Sequence, residues 1–176
     1  SGREMRGPTR VVTDLLGELG ATPVGMPLPL IPENLSKGVI SGAALPWEIT
    51  PSIRMAELVL NHTQFGDGNV FYTATFVLAM NLDVYDDLPD DLRAILDDAT
   101  GKAMAELAGT VMVSADEAGR AVASENKIIT LDATETARWI KASAPVYDRW
   151  IERANGEGFD GMAAITQARD LIAANQ

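Results

Sequence analysis

Residues 3–27 read REMRGPTRVVTDLLGELGATPVGMP, and this stretch decides the fold class. Arg3 to Pro8 suits a short strand, and Pro8-Thr9 marks a helix start. Val11, Val12, Leu15, Leu16 and Leu19 then recur at the spacing of one helix face, and Gly20 is a natural stop. Thr22 to Pro27 reads as a second strand, ended by a proline-rich loop. Strand, helix and strand in succession point to an α/β fold.

The alternation continues outward from there. Pro32 suits the first turn of a short helix through Lys37, which Gly38 closes. Val39 to Ala44 is the next strand, and Thr50-Pro51 opens a helix with Ile53, Leu58 and Val59 near one face. After the turn Gly66-Asp67-Gly68, residues Asn69 to Met80 are rich in Phe, Tyr, Thr and Val and read as a long strand. Leu88-Pro89 precedes a helical stretch from Asp90 to Ser124, about three times the usual helix length. Gly101, Gly109 and Gly119 are its weak points. Lys127 to Leu131 is a short strand, and Asp132-Ala133-Thr134-Glu135 is a capping box with Asp at the cap. The helix that follows carries Trp139, Val146 and Trp150 and bends at Pro145. Gly156 and Gly158 break it, and Asp160 starts a last helix through Ala174.

Composition narrows the function. The chain has 176 residues, enough for one domain, with 47% apolar and 22% charged residues. A net charge of −11 disfavours nucleic acid and anionic lipid as partners. The absence of cysteine excludes disulfides, thiolate metal sites and cysteine nucleophiles. His62 is the one histidine, so multi-histidine metal sites and Ser-His-Asp catalysis are disfavoured. No apolar run reaches the ~18 residues of a membrane span. The opening residues lack the apolar core of a signal peptide, which fits a piece of a longer protein.

Few residues carry chemistry. Arg6 ends a strand just before Gly7-Pro8 and a helix start, where a guanidinium fork and first-turn amides suit a carboxylate. The plain alternative is a surface arginine paired with an acid. Trp47 and Glu48 follow a strand end, the kind of turn where α/β folds place ligands. Trp47 offers an apolar wall or simply core packing, and Glu48 an acceptor for a ligand hydroxyl. Asp83, Asp86, Asp87, Asp90 and Asp91 lack the spacing of a calcium loop and fit a solvated helix start. His62 lacks a fixed partner that would make it a catalytic base. No catalytic residue, metal site or cofactor is expected, and the motifs favour binding over catalysis.

The order of these features resembles the solute-binding proteins of TRAP transporters, the DctP-type periplasmic receptors. The resemblance rests on Arg3-Glu4-Met5-Arg6-Gly7-Pro8, on Leu19-Gly20-Ala21-Thr22-Pro23-Val24-Gly25-Met26-Pro27, and on Leu35 to Ala43. It continues through Phe76-Val77-Leu78-Ala79-Met80-Asn81 and Leu88-Pro89-Asp90-Asp91-Leu92. It covers nearly the whole chain.

The resemblance implies a periplasmic-binding-protein-like lobe (class II type) with a long inter-lobe helix and the first lobe largely missing. On that reading residues 1–81 are the second-lobe α/β ligand-binding segment with a crossing strand. Residues 82–126 are the long helix, and residues 127–176 are a strand and helices packing on the lobes. It further implies a periplasmic receptor that binds a small organic acid and delivers it to TRAP membrane permease subunits. Arg6 falls on the arginine that clamps the ligand carboxylate. Leu28 falls where many members have an aromatic residue, and Leu45 where some have an asparagine that assists the arginine. Ser41 replaces the usual aspartate before Gly42. The expected ligand-binding set is therefore Arg6, Thr9, Leu28, Leu45, Trp47 and Glu48, and the expected ligand an apolar or aromatic monocarboxylate.

Two other readings compete. A structural or oligomerisation module built on the long helix would show no small-molecule effect. A small acid-base enzyme would use Glu48 or Asp67 with Arg6, but the sequence offers no paired base. The exposed apolar face of the long helix also leads us to expect a homodimer of the fragment.

Overall fold

A computed structural model describes residues 2–174. Strand β1 (Glu4–Gly7), helix α1 (Arg10–Glu18) and strand β2 (Thr22–Gly25) form the βαβ unit anticipated above. Helix α2 (Ile31–Ser36) then leads to the short strand β3 (Gly42–Ala43). All three strands run parallel in the order β2-β1-β3, with Arg6 opposite Val24 on one side and Ala43 on the other. Thr9 caps α1 by accepting from the Val12 amide at 3.2 Å, and Gly20 adopts φ +80°, which only glycine takes without strain. Val12 and Leu16 are the buried face of α1, while Ile31 and Ile40 are fully enclosed.

The chain divides into two compact units. The first holds residues 2–44, 63–70 and 129–174, and the second residues 45–62 and 71–128. In the second, a short helix α3 (Met55–Leu58) follows a turn in which Arg54 takes φ +53°. Strand β4 (Asn61–Phe65) pairs with β5 (Lys127–Leu131). The Lys127 amide donates to Leu60 O at one end and the Gly66 amide to Leu131 O at the other, both at 3.0 Å. The two strands therefore run in the same direction.

Two expectations need correction. Residues 69–80 form neither strand nor helix, although their composition favours a strand. A strand needs a partner for its backbone groups, and residues 73–80 have none in a ladder among the described residues. Phe76, Val77 and Leu78 accordingly stay 70%, 83% and 79% exposed. The stretch 82–126 is also not one helix. It comprises α4 (Leu82–Asp86), α5 (Asp90–Ala99), α6 (Lys102–Val122) and a 3₁₀ turn at Ala123–Glu125. The break falls at Thr100-Gly101, where Gly101 adopts φ +67° and the backbone leaves the helical region.

Helix α7 (Ala133–Gly156) matches the expected capping box, since Asp132 accepts from the Glu135 amide at 2.8 Å, and it retains Pro145 inside. Gly158 at φ +86° ends the turn that follows, and Asp160 caps α8 (Gly161–Ala174) by accepting from Ala163 N. Asp90 and Asp91 lie in the first turn of α5, with Asp90 paired to Arg93. The positive end of a helix favours acids there.

Candidate functional site

Arg6 is the penultimate residue of the central strand, and the residue is only 6% exposed. Burying a guanidinium is costly unless its donors are satisfied. Here Nε donates to Met26 O and Nη1 to Ala44 O, each at 3.1 Å. Met26 is the first residue after β2, and Ala44 the first after β3. The arginine is thus held by the carbonyls that leave both neighbouring strands, which fixes the plane of its fork. Both of these acceptors are neutral backbone carbonyls, which orient the guanidinium.

The location follows from topology. The chain goes from β1 to β2 on one side and returns to β3 on the other, so the strand order reverses at β1. Ligands of open parallel sheets bind at the carboxyl ends of the strands beside such a reversal. An open depression of about 460 Å³ lies there, lined by Arg6, Gly7, Thr9, Arg10 and Met26 among others. Gly7 lets α1 approach closely: a Cβ in its place would sit 2.4 Å from Thr13 Oγ1 and 2.9 Å from Thr13 Cα. Arg6 and Thr9, both in the expected ligand-binding set, line this one depression. Leu28, half-buried, opens the 3₁₀ turn Leu28–Leu30 two residues beyond Met26.

Leu45, Trp47 and Glu48 belong to the second unit. Trp47–Ile49 form a 3₁₀ turn whose leading residue, Pro46, supplies no side-chain cap. Asp116 of α6 does so instead, its Oδ1 accepting from Glu48 N at 2.8 Å. The Arg120 guanidinium lies 5.4 Å from the centre of the Trp47 ring, and the His62 ring is also 5.4 Å away, tilted by 36°. Asn126 donates from Nδ2 to Ala56 O and Val59 O, both at 2.7 Å, and lies 3.2 Å from His62 Nε2. Asp67, the other acid considered above, is an exposed turn residue at φ +54°.

Burial raises the pKa of the Glu48 carboxyl, and the nearby Asp116 adds to that shift. Burial lowers the pKa of the His62 imidazole. The two contributions to stability run in opposite directions with pH. An unfolded chain protonates His62 near pH 6.5 while the folded chain resists. The His62 contribution is therefore complete above about pH 6.5 and is lost as pH falls through the folded value. The Glu48 contribution is complete below its ordinary range and is lost as pH rises through its raised value. With one imidazole in the chain, proton NMR assigns the titration without ambiguity. The ring C–H signal of His62 is expected to titrate below pH 6.5. A midpoint at or above that value would contradict the burial described here.

Three contributors escaped the sequence reading. Met26 and Ala44 act through backbone oxygens, which leave no mark on side-chain identity. Asp116 acts from 68 positions away and looks like any exposed helix acid until the turn is docked on it.

The comparisons with known proteins bear on this arrangement. Residues 1–153 match the DctP family, described as "Bacterial extracellular solute-binding protein, family 7". The chain belongs to that family. It is a family of binding receptors and not of enzymes, so the acid-base alternative falls. A TRAP solute-binding protein from Rhodoferax ferrireducens T118, solved with copurified benzoate, is 49% identical with a TM-score of 0.93. A marine metagenome TRAP solute-binding protein described as specific for aromatic acid ligands, solved with 3-hydroxybenzoate, is 39% identical with a TM-score of 0.93. In both cases the match covers 99% of this chain and 55% of the other. A Bordetella bronchiseptica TRAP periplasmic solute-binding protein has the same fold at 24% identity and TM-score 0.85, over 100% of this chain and 56% of that one. This DctP-family chain thus spans about half the length of the solved structures it matches. Among its described residues, no helix is long and apolar enough to cross a membrane.

Proposed function

We propose that this chain is the arginine-bearing part of a periplasmic TRAP receptor that captures an aromatic or apolar monocarboxylate and presents it to membrane permease subunits. The observation that carries the reading is the buried Arg6, its fork held in plane by Met26 O and Ala44 O. A planar fork of fixed orientation is matched to a carboxylate, which it meets with two parallel charge-assisted hydrogen bonds. Thr9, Leu28, Leu45, Trp47 and Glu48 are the other residues proposed to meet a ligand. Their apolar share favours a ligand with one charge and an apolar body. The benzoate and 3-hydroxybenzoate held by relatives 49% and 39% identical support the same ligand class.

A competition experiment tests the ligand class. A second carboxylate beside Leu45 would lose its water without gaining a partner. Benzoate is therefore expected to bind at least about tenfold more tightly than succinate in an NMR titration. A preference for succinate would show that the pocket is not apolar.

We also infer that the chain self-associates. Phe76, Val77 and Leu78 are exposed in a segment without ladder partners among the described residues, and Leu107, Val111 and Val113 of α6 are exposed as well. Exposed apolar surface and unpaired backbone both favour association with a second copy. Sedimentation velocity at micromolar concentration is expected to show a dimer, and a clean, well-folded monomer would refute the inference.

A further inference from the structure

We propose that Asp116, Gly119 and Arg120 of α6 are positioning residues for ligand recognition: together they fix the turn that carries Trp47 and Glu48, and Arg120 sets the plane of the Trp47 indole. The proposal rests on the reading of Trp47 as part of the ligand-binding set. Residues at positions i, i+3 and i+4 of a helix share one face, so the three point at the same neighbour. That neighbour is the 3₁₀ turn Trp47–Ile49.

Each contact is of a different kind. Asp116 Oδ1 accepts from Glu48 N at 2.8 Å, replacing the cap that Pro46 cannot provide. Gly119 lets the turn's backbone touch the helix, because a Cβ there would sit 1.9 Å from Trp47 O and 2.5 Å from Trp47 C. The same Trp47 oxygen accepts from Thr50 N at 3.0 Å, which closes the turn. Arg120 stands over the Trp47 ring at 5.4 Å. The charge-assisted bond and the close approach fix the turn's backbone, leaving the indole free to rotate about its own side-chain torsions. A guanidinium over the ring removes that freedom and holds the indole in one plane. His62, 5.4 Å from the same ring, adds a second flat neighbour. Trp47 remains half-buried, so it keeps surface for a ligand.

The experiment is a double-mutant cycle on benzoate affinity, using Arg120→Gln, Trp47→Leu and the pair, with Arg6→Ala as reference. Arg120→Gln is expected to weaken benzoate roughly 5- to 10-fold and to move the Trp47 indole N–H resonance. Arg120→Lys should lose less, because an ammonium still attracts the ring. In the Trp47→Leu background, Arg120→Gln should cost little more. Asp116→Asn, which keeps an acceptor oxygen, should bind better than Asp116→Ala. If Arg120→Gln and Asp116→Ala bind benzoate like the parent while Arg6→Ala does not, this proposal is overturned and the arginine-clamp reading stands. Additive effects of Arg120→Gln and Trp47→Leu would overturn it as well, since Arg120 would then act independently of the indole. If the chain binds no aromatic acid even within the whole receptor, both readings fall together.

Discussion

Arg6→Ala is expected to weaken benzoate binding by roughly 30-fold to several thousand-fold, the loss that follows when one member of a buried charge pair is removed. The magnitude comes from the setting of the side chain. At 6% exposure the guanidinium has little contact with water, so an ion pair formed with it is largely a buried one. Arg6→Lys should recover only part of the loss. An ammonium restores the charge but not the planar pair of donors, and it cannot hold Met26 O and Ala44 O in the same arrangement. Stability should change separately from affinity. Two carbonyls lose their donor in Arg6→Ala, at about 1–3 kcal/mol for each one left unsatisfied. Measuring the melting temperature beside the NMR affinity separates the effects. Near-parental affinity in a folded Arg6→Ala protein would remove Arg6 from the site.

Why the burial of Arg6 at a strand end was foreshadowed locally and the rest of the candidate site less so has a physical explanation. A strand, then Gly7-Pro8, then a helix start is a local pattern, and local patterns survive in a sequence. The same holds for the Asp132 cap and for Gly20 and Gly158 at helix ends. Long-range partners leave no such trace. Residues Asn61 to Phe65 look polar and irregular, yet they form β4 because β5 lies alongside, as the Gln64–Thr130 hydrogen bond across 66 positions shows. Residues 73–80 are the converse case, with strand composition but no ladder partner. Propensity there describes fit to a sheet that the described residues do not supply. Within 90–124, three glycines looked like equal weak points, but only Gly101 breaks the helix. Gly109 and Gly119 remain helical in α6, for reasons that differ between them.

That difference is the basis of the other large effect, the response of α6 to added methyl groups. On helix propensity alone, alanine at either glycine would stabilise by about 1 kcal/mol. Gly109 faces open space, with no atom within 4 Å of the position a Cβ would take. Gly109→Ala should therefore show that gain and melt a few degrees higher. At Gly119 the new Cβ would lie 1.9 Å from Trp47 O, 2.5 Å from Trp47 C and 3.3 Å from Glu48 N. All three obstacles are backbone atoms, so no change of rotamer relieves the clash. Either the helix or the turn must shift, breaking the Asp116–Glu48 hydrogen bond that joins them. Overpacking costs typically 1–3 kcal/mol, and a rigid obstacle places Gly119→Ala at about 3 kcal/mol after the propensity gain is offset. That corresponds to a loss of roughly 6–12 °C in melting temperature for a chain of this size. Because the chain has two units, hydrogen exchange should locate the loss in the second, at α6 and residues 45–50, with β1 and α1 protected as before. Parallel melting of the two variants decides the matter. If Gly119→Ala is as stable as Gly109→Ala, the turn does not rest on the helix backbone.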